Sequence, residues 1–210
     1  MTETLSLRAK IEQSTMGAYQ WMIVVMAAIM NLLDGFDVLA LAFTATAIRG
    51  EFGLTGIELG YLLSAGLFGM TAGSLFLAPL ADKIGRRPLL LMAVSLSAIG
   101  MLGSAFISQY QWLGFWRVIT GLGVGGILVG TNVITSEYSS RKWRSFAISV
   151  YAAGFGIGAV LGGMFAVMLQ GEYGWRSVFL AGAILTGLLL VVLFIWLPES
   201  IDFLTSKQPQ

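Results

Sequence analysis

The sequence predicts an all-α, polytopic membrane protein built as a bundle of six transmembrane helices, and three observations predict it. The chain of 210 residues is 57% hydrophobic and 11% charged, with a mean hydropathy of +0.83, against roughly 25% charged residues in soluble domains. Six apolar runs reach the ~20 residues that a helix needs to cross a bilayer core. The runs are too long and too continuous for barrel strands, and in lipid only helices and closed barrels satisfy every backbone group.

The elements follow in order. Met1 to Gln20 is polar and mixed in charge, with no small-residue cleavage site after a short apolar core, so it does not read as a signal peptide and the first span is expected to stay. Span one covers residues 18–47 and span two 56–81. The connection Asp82-Lys83-Ile84-Gly85-Arg86-Arg87-Pro88 comes next; Gly85 permits a tight turn, and proline is well tolerated in a first helical turn. Spans three to six cover residues 88–108, 112–136, 145–169 and 177–197. All six form one domain, residues 1–210.

Basic residues alternate between connections. Lys83, Arg86 and Arg87 follow span two, Arg141, Lys142 and Arg144 follow span four, and Arg8, Lys10 and Lys207 occupy the ends, while the other side holds only Arg49 and Arg176. By the positive-inside rule both termini are expected in the cytoplasm, in a plasma membrane of bacterial inner-membrane type. Trp21, Trp112, Trp116, Trp143, Trp175 and Trp196 near span ends suit interfacial belts, although some could simply fill space. The 27 glycines recur at helix-neighbour spacing: Gly69/Gly73, Gly121/Gly125, Gly126/Gly130 and Gly154/Gly158/Gly162. Small-residue ridges of this kind let helices approach closely in a membrane; helices that slide or bend are the alternative reading.

Some functions are disfavoured. Without cysteine or histidine, disulfides, thiolate chemistry and the usual zinc or haem ligand sets are unavailable, and no metal or cofactor is expected. A net charge of +1 supplies no field for nucleic acid. No GxxxxGK[ST] loop is present to cradle a nucleotide. No Ser/His, Cys/His or HExxH constellation supports an enzyme. Two aspartates on one helix do not resemble a protease dyad, which needs them brought from separate helices. Lysine is absent from all six spans, which removes a retinal Schiff base.

The informative residues are polar groups inside apolar runs. Asn31, Asp34 and Asp37 recur every three residues, so on a helix they form one stripe that cannot comfortably face lipid and should face a cavity. Carboxylates taken out of water favour their neutral form, and two that share a site resist joint ionisation, so such a pair can take up and release a proton near neutral pH. A structural cap or pairing for one of them is the alternative. Arg117 is the only basic residue inside a predicted span. It lies roughly 8 Å below the outer edge and Asp37 roughly 10 Å below it, so Arg117 is expected to face Asp37, as an ion pair or as its alternating partner for a proton and an anionic substrate. The alternative is an arginine snorkelling to the interface. At the other end, Asp82, Arg86, Glu137 and Arg144 are expected to form a charge network whose partners exchange as the protein opens and closes; for Arg87 and Lys83 a plain positive-inside loop is the alternative.

The Asp82-Lys-Ile-Gly85-Arg86-Arg87 loop, the Arg117-Val-Ile-Thr-Gly121-Leu-Gly123 segment and the Glu137 and Arg144 pair together resemble the N-terminal half of a major facilitator superfamily transporter, over essentially the whole chain. Asp34-Gly35-Phe36-Asp37 and Pro198-Glu199-Ser200 resemble the aromatic acid/proton symporters, whose first helix carries DGxD. The resemblance implies proton coupling and substrate uptake for Asp34 and Asp37, coupling of protonation to the substrate anion for Arg117, and gating for Asp82, Arg86 and Arg87. Three positions depart from the pattern: Ala78 stands for a glycine, Ser140 for a proline, and Gly158-Ala159 for the Gly-Pro of antiporters, the last favouring symport. Transporters of this kind have two six-helix halves with substrate near the midplane, and one half is present here. It could be a shortened chain, a half paired with a separate chain, or a homodimer. The expected function is proton-coupled transport of a small organic anion, an aromatic carboxylate, by a chain that works with a second half or a second copy. A proton-independent facilitator or channel, or a non-transporting accessory subunit, is the alternative.

Overall fold

Six long apolar helices and one short helix account for most of residues 15–206, the part of the chain that the computed structural model describes. Helix α1 is Ala18–Phe52, α2 Gly56–Ile84, α3 Arg86–Ala105, α4 Tyr110–Tyr138, α5 Arg144–Tyr173, α6 Arg176–Trp196 and α7 Ile201–Ser206. Arg8, Lys10 and Lys207, which entered the topology expectation, lie outside the described residues.

Where the helices overrun the apolar limits, polar contacts explain the excess. α1 continues five residues past residue 47 because Glu51, near its end, receives the Arg176 guanidinium at 2.7 Å and the Trp175 indole N–H at 2.7 Å, and Gly53 closes the helix in the left-handed region at φ 65. Hydropathy cannot see a helix that runs on into polar surroundings. α2 opens on a reciprocal cap, with the Thr55 amide donating to Glu58 at 2.8 Å and the Glu58 amide donating back to the Thr55 hydroxyl at 3.3 Å. It extends to Ile84 and so takes in Lys83. α3 stops at Ala105, three residues before the apolar run ends, and Ile107 packs into the core as part of the connection.

α1 packs mainly on α5, α2 on α4, and α3 sits between α4 and α6. The glycine ridges explain the first two pairings. Gly69 and Gly73 of α2 lie on the main chain of Val118 and Leu122, and Gly121 and Gly125 of α4 return the contact against Gly66 and Met70. Gly154 and Gly158 of α5 lie against the main chain at Ala28 and Leu32, and Gly162 against Phe36. At each of these places a Cβ would meet backbone or a buried ring, so the helices could not close to this distance with larger residues.

The interior divides into two apolar clusters. One gathers Met30, Leu33, Val94, Ile127 and Leu189; the other gathers Phe36, Ala40, Met101, Leu113, Phe179 and Ala183. α1, α3, α4 and α6 each pass from one cluster to the other, and at the crossing each carries buried polar residues: Asp34 and Asp37, Ser97, Arg117 and Thr120, and Thr186. Those residues make a polar layer across the middle of the bundle. Lys83, Arg86, Arg87 and Arg144 lie at one end of the helices and Arg49 and Arg176 at the other.

Candidate functional site

Asn31, Asp34 and Asp37 share one face of α1 and are all buried, with 1–3% of their surface exposed. The tight α1–α5 seam brings Tyr151 of α5 to the lower part of the stripe, where Asn31 Nδ2 donates to the Tyr151 carbonyl at 2.8 Å. The Tyr151 hydroxyl lies 3.2 Å from Thr131 Oγ1 of α4, and Asp34 is within electrostatic reach of Tyr151 and of Asp37. One turn further, Asp37 faces α3, α4 and α6. Its Oδ2 accepts from the Ser97 hydroxyl at 2.7 Å, and Gly182 leaves room for the carboxylate beside α6. Ser97 can come this close because Gly123 of α4 lets α3 pack on bare backbone.

Arg117 meets Asp37, but not through the carboxylate. Its Nη1 donates to the main-chain carbonyl of Asp37 at 3.1 Å, while Nη2 donates to Thr120 Oγ1 at 3.0 Å and to Met101 Sδ at 2.8 Å. The guanidinium also stands 5.0 Å from the centre of the Phe179 ring. Arg117 thus faces Asp37 as expected, but its hydrogen bonds go to neutral groups and the carboxylate is an electrostatic neighbour short of a closed ion pair; a snorkelling arginine is excluded because Arg117 is only 3% exposed. Asp34 Oδ2, Asp37 Oδ1, Asn31 Oδ1 and Arg117 Nε have no hydrogen-bond partner among the described residues. Buried polar atoms are nearly always paired, so this concentration of open valences in one layer needs an explanation. Asp37, Arg117 and Thr120 line a cavity of about 30 Å³ with Leu41, Leu62 and Met70, which is water-sized. Asp34 lies off this cavity, on the α5 side.

The basic end of the bundle is also ordered differently from the expectation. Asp82 and Arg86 do pair, at 2.6 Å. Glu137 shares a cavity with Asp82 and Arg86, and its carboxylate accepts from the Ser200 hydroxyl at 2.8 Å and the Ile201 amide at 2.9 Å, capping α7. The anion at the start of α3 is Glu199, whose Oε1 accepts from the amides of Arg86, Arg87 and Ser200 at 2.7, 3.0 and 2.8 Å. A carboxylate at a helix N-terminus satisfies amides that have no partner inside the helix and complements the dipole. Gly85, at φ 103, makes room for it, since a Cβ there would meet the Glu199 carboxylate. Tyr138 ties the same linker to α4 by donating to the Glu199 carbonyl at 2.7 Å. Arg87 Nη2 donates to the Phe194 carbonyl of α6 at 2.8 Å.

Sequence reasoning missed Ser97, Thr120, Met101, Tyr151 and the capping role of Glu199. The Pro198-Glu199-Ser200 triplet was the one visible signal; a serine or threonine in an apolar span ordinarily bonds its own helix, as Ser95 does with Leu91 at 2.7 Å.

Fold and site together define a multi-pass membrane protein whose helices enclose an under-paired charged layer. The model of the Major Facilitator Superfamily matches residues 25–208, and the chain belongs to that superfamily. It is 36% identical to a gallate transporter of Pseudomonas putida over 94% of this chain and 44% of the relative. It is also 36% identical to the 4-hydroxybenzoate transporter PcaK of Pseudomonas aeruginosa, over 98% of this chain and 46% of the relative. Among solved structures, the xylose transporter XylE from E. coli superposes with a TM-score of 0.82 at 22% identity, covering 90% of this chain and 52% of that one. The chain spans about half the length of the curated relatives it matches.

Proposed function

We propose that this chain forms one half of a secondary active transporter that carries a small aromatic carboxylate together with protons across the cytoplasmic membrane, both of its ends facing the cytoplasm. The observation that carries the reading is Arg117: a buried guanidinium on neutral partners, with Nε open, on the wall of a cavity that Asp37 shares. A buried guanidinium whose hydrogen bonds all go to neutral acceptors, with the Asp37 carboxylate near but not bonded to it, lacks charge-assisted hydrogen bonds, and an arriving carboxylate supplies them. The aspartates beside it supply sites for a proton. The names of the gallate and 4-hydroxybenzoate relatives support an aromatic acid as the cargo.

The water-sized cavity does not admit a ring, so binding requires the layer to open against a second wall. That wall is assigned to a second six-helix half or a second copy, around a site near the membrane midplane. The ends of the basic side, held by Asp82, Gly85, Arg86, Arg87, Glu199 and Glu137, act as the gate.

Uptake of labelled 4-hydroxybenzoate into proteoliposomes tests the reading, with the chain reconstituted alone and with a separately supplied second half. An inward proton gradient should drive accumulation, abolished by Asp34→Asn or Asp37→Asn. Arg117→Lys should lower uptake about tenfold or more, because an ammonium cannot reproduce the planar fork that holds Asp37, Thr120 and Met101 at once. Uptake indifferent to the gradient favours a facilitator, and no uptake in either reconstitution overturns transport.

A further inference from the structure

We propose that the groove between α3 and α6 at the basic end of the bundle is a binding site for one anionic phospholipid, its acyl chain in the groove and its phosphate on Arg87. The groove has a volume of about 790 Å³ and its walls are Leu91, Met92, Leu96 and Ile99 of α3 and Val191 and Phe194 of α6, among others. Ser95 is its one polar lining residue, and its hydroxyl is already bonded to the Leu91 carbonyl at 2.7 Å. From Leu91 to Ile99 the wall runs eight residues, roughly 12 Å of helix, a length that suits the upper part of a lipid tail.

The head of the groove carries the charge. Arg87 is four residues before Leu91, hence on the same face of α3 one turn nearer the membrane surface. Its Nη2 is anchored on the carbonyl of Phe194, itself a wall residue, so the guanidinium is fixed at the groove mouth. Its Nε is enclosed without a partner, and no carboxylate side chain among the described residues pairs with it. Arg86 beside it is different, because Asp82 already neutralises it. Lys83 is exposed on the preceding turn, and Trp196 at the end of α6 is 55% exposed, where an indole suits the headgroup level. Glu199 occupies the α3 amides, so an anion approaching this end is received by the Arg87 side chain and not by the helix terminus. An apolar trough below a basic side chain that no carboxylate among the described residues pairs with is complementary to a phospholipid with a negative headgroup, and basic pockets between membrane helices recognise such lipids.

Native mass spectrometry of the chain released from detergent tests this, after incubation with phosphatidylglycerol or with phosphatidylcholine bearing the same acyl chains. Phosphatidylglycerol should be retained at a concentration about fivefold lower or more, the preference one basic side chain near the surface confers. Arg87→Gln should remove most of that preference and Lys83→Gln a smaller part. Ser95→Phe, which fills the trough, should reduce retention of both lipids. Equal retention of the two lipids by the unaltered chain, undiminished preference in Arg87→Gln, or equally tight binding of dihexanoyl phosphatidylglycerol, whose tails are too short to use the groove, overturns the site. A dimer whose formation excludes lipid from this face overturns it as well. The readout is binding alone, so a failure of transport leaves it unaffected.

Discussion

Arg117 donates to the main-chain carbonyl of Asp37 at 3.1 Å and leaves the Asp37 carboxylate to Ser97, whose hydroxyl lies 2.7 Å from Oδ2. The cation and the anion are thus neighbours without being a closed pair. Each retains an open valence, Nε on one and Oδ1 on the other, and a site arranged in this way can exchange partners without first breaking a strong ion pair.

Ser97→Ala removes the one side-chain donor to Asp37 among the described residues, at a position that is fully buried. Leaving a buried acceptor unmet costs about 1–3 kcal/mol, so the variant should unfold earlier on heating in detergent. Ser95→Ala is the control, because its hydroxyl only bonds back along its own helix, and it should change little. In an Asp37→Asn background the Ser97→Ala loss should shrink, since residues sharing one hydrogen bond are not additive. Additive losses would show that Ser97 acts elsewhere.

The α1–α5 seam makes a sharper contrast between two glycines. A Cβ at Gly158 would collide with the Leu32 main chain, whereas a Cβ at Gly156 meets nothing within 4 Å. Gly158→Ala should destabilise by about 1–3 kcal/mol through overpacking, and Gly156→Ala should be neutral or stabilise by up to about 1 kcal/mol through helix propensity. Unfolding of both variants in mixed micelles gives the comparison, and equal effects would contradict the observed packing.

Glu199 and Gly85 should be coupled. Glu199→Ala removes the acceptor for three amides and is expected to cost about 1–2 kcal/mol, as for loss of a helix cap. Gly85→Ala should be costly on its own, both for its φ of 103 and for the collision with Glu199. In the double variant the collision is gone, so the combined loss should fall short of the sum by about 0.5 kcal/mol or more. Thermal melts of the four proteins in the cycle measure this.

The span count and the charged positions were legible because both follow from one-dimensional quantities. Apolar runs long enough to cross a bilayer stand out by length alone, and an aspartate or arginine within one is conspicuous by its cost. The glycine ridges were readable too, since close approach in lipid leaves the same spacing wherever it occurs. Ser97 was not legible. It sits 60 residues from Asp37, and no local signal distinguishes a serine that faces an aspartate on another helix from one that bonds its own. The hydrogen bonds of Glu137 to Ser200 and Ile201 were not legible for a related reason: charges at one end of a bundle are near one another, but which amide or hydroxyl a carboxylate meets depends on where α7 begins.

The chemistry of single residues therefore decided, from the sequence alone, that this protein lives in a membrane, crosses it as six helices, and hides two acids, an amide and a cation within them. Hydropathy and charge act residue by residue and need no fold to be read. Only the tertiary structure decided that the cation rests on a carbonyl, a hydroxyl and a thioether, that Ser97 holds Asp37 while Asn31 holds the Tyr151 carbonyl, and that Glu199 seals the start of α3. Those pairings depend on helix rotation and depth, which are set by packing against neighbours distant in the chain.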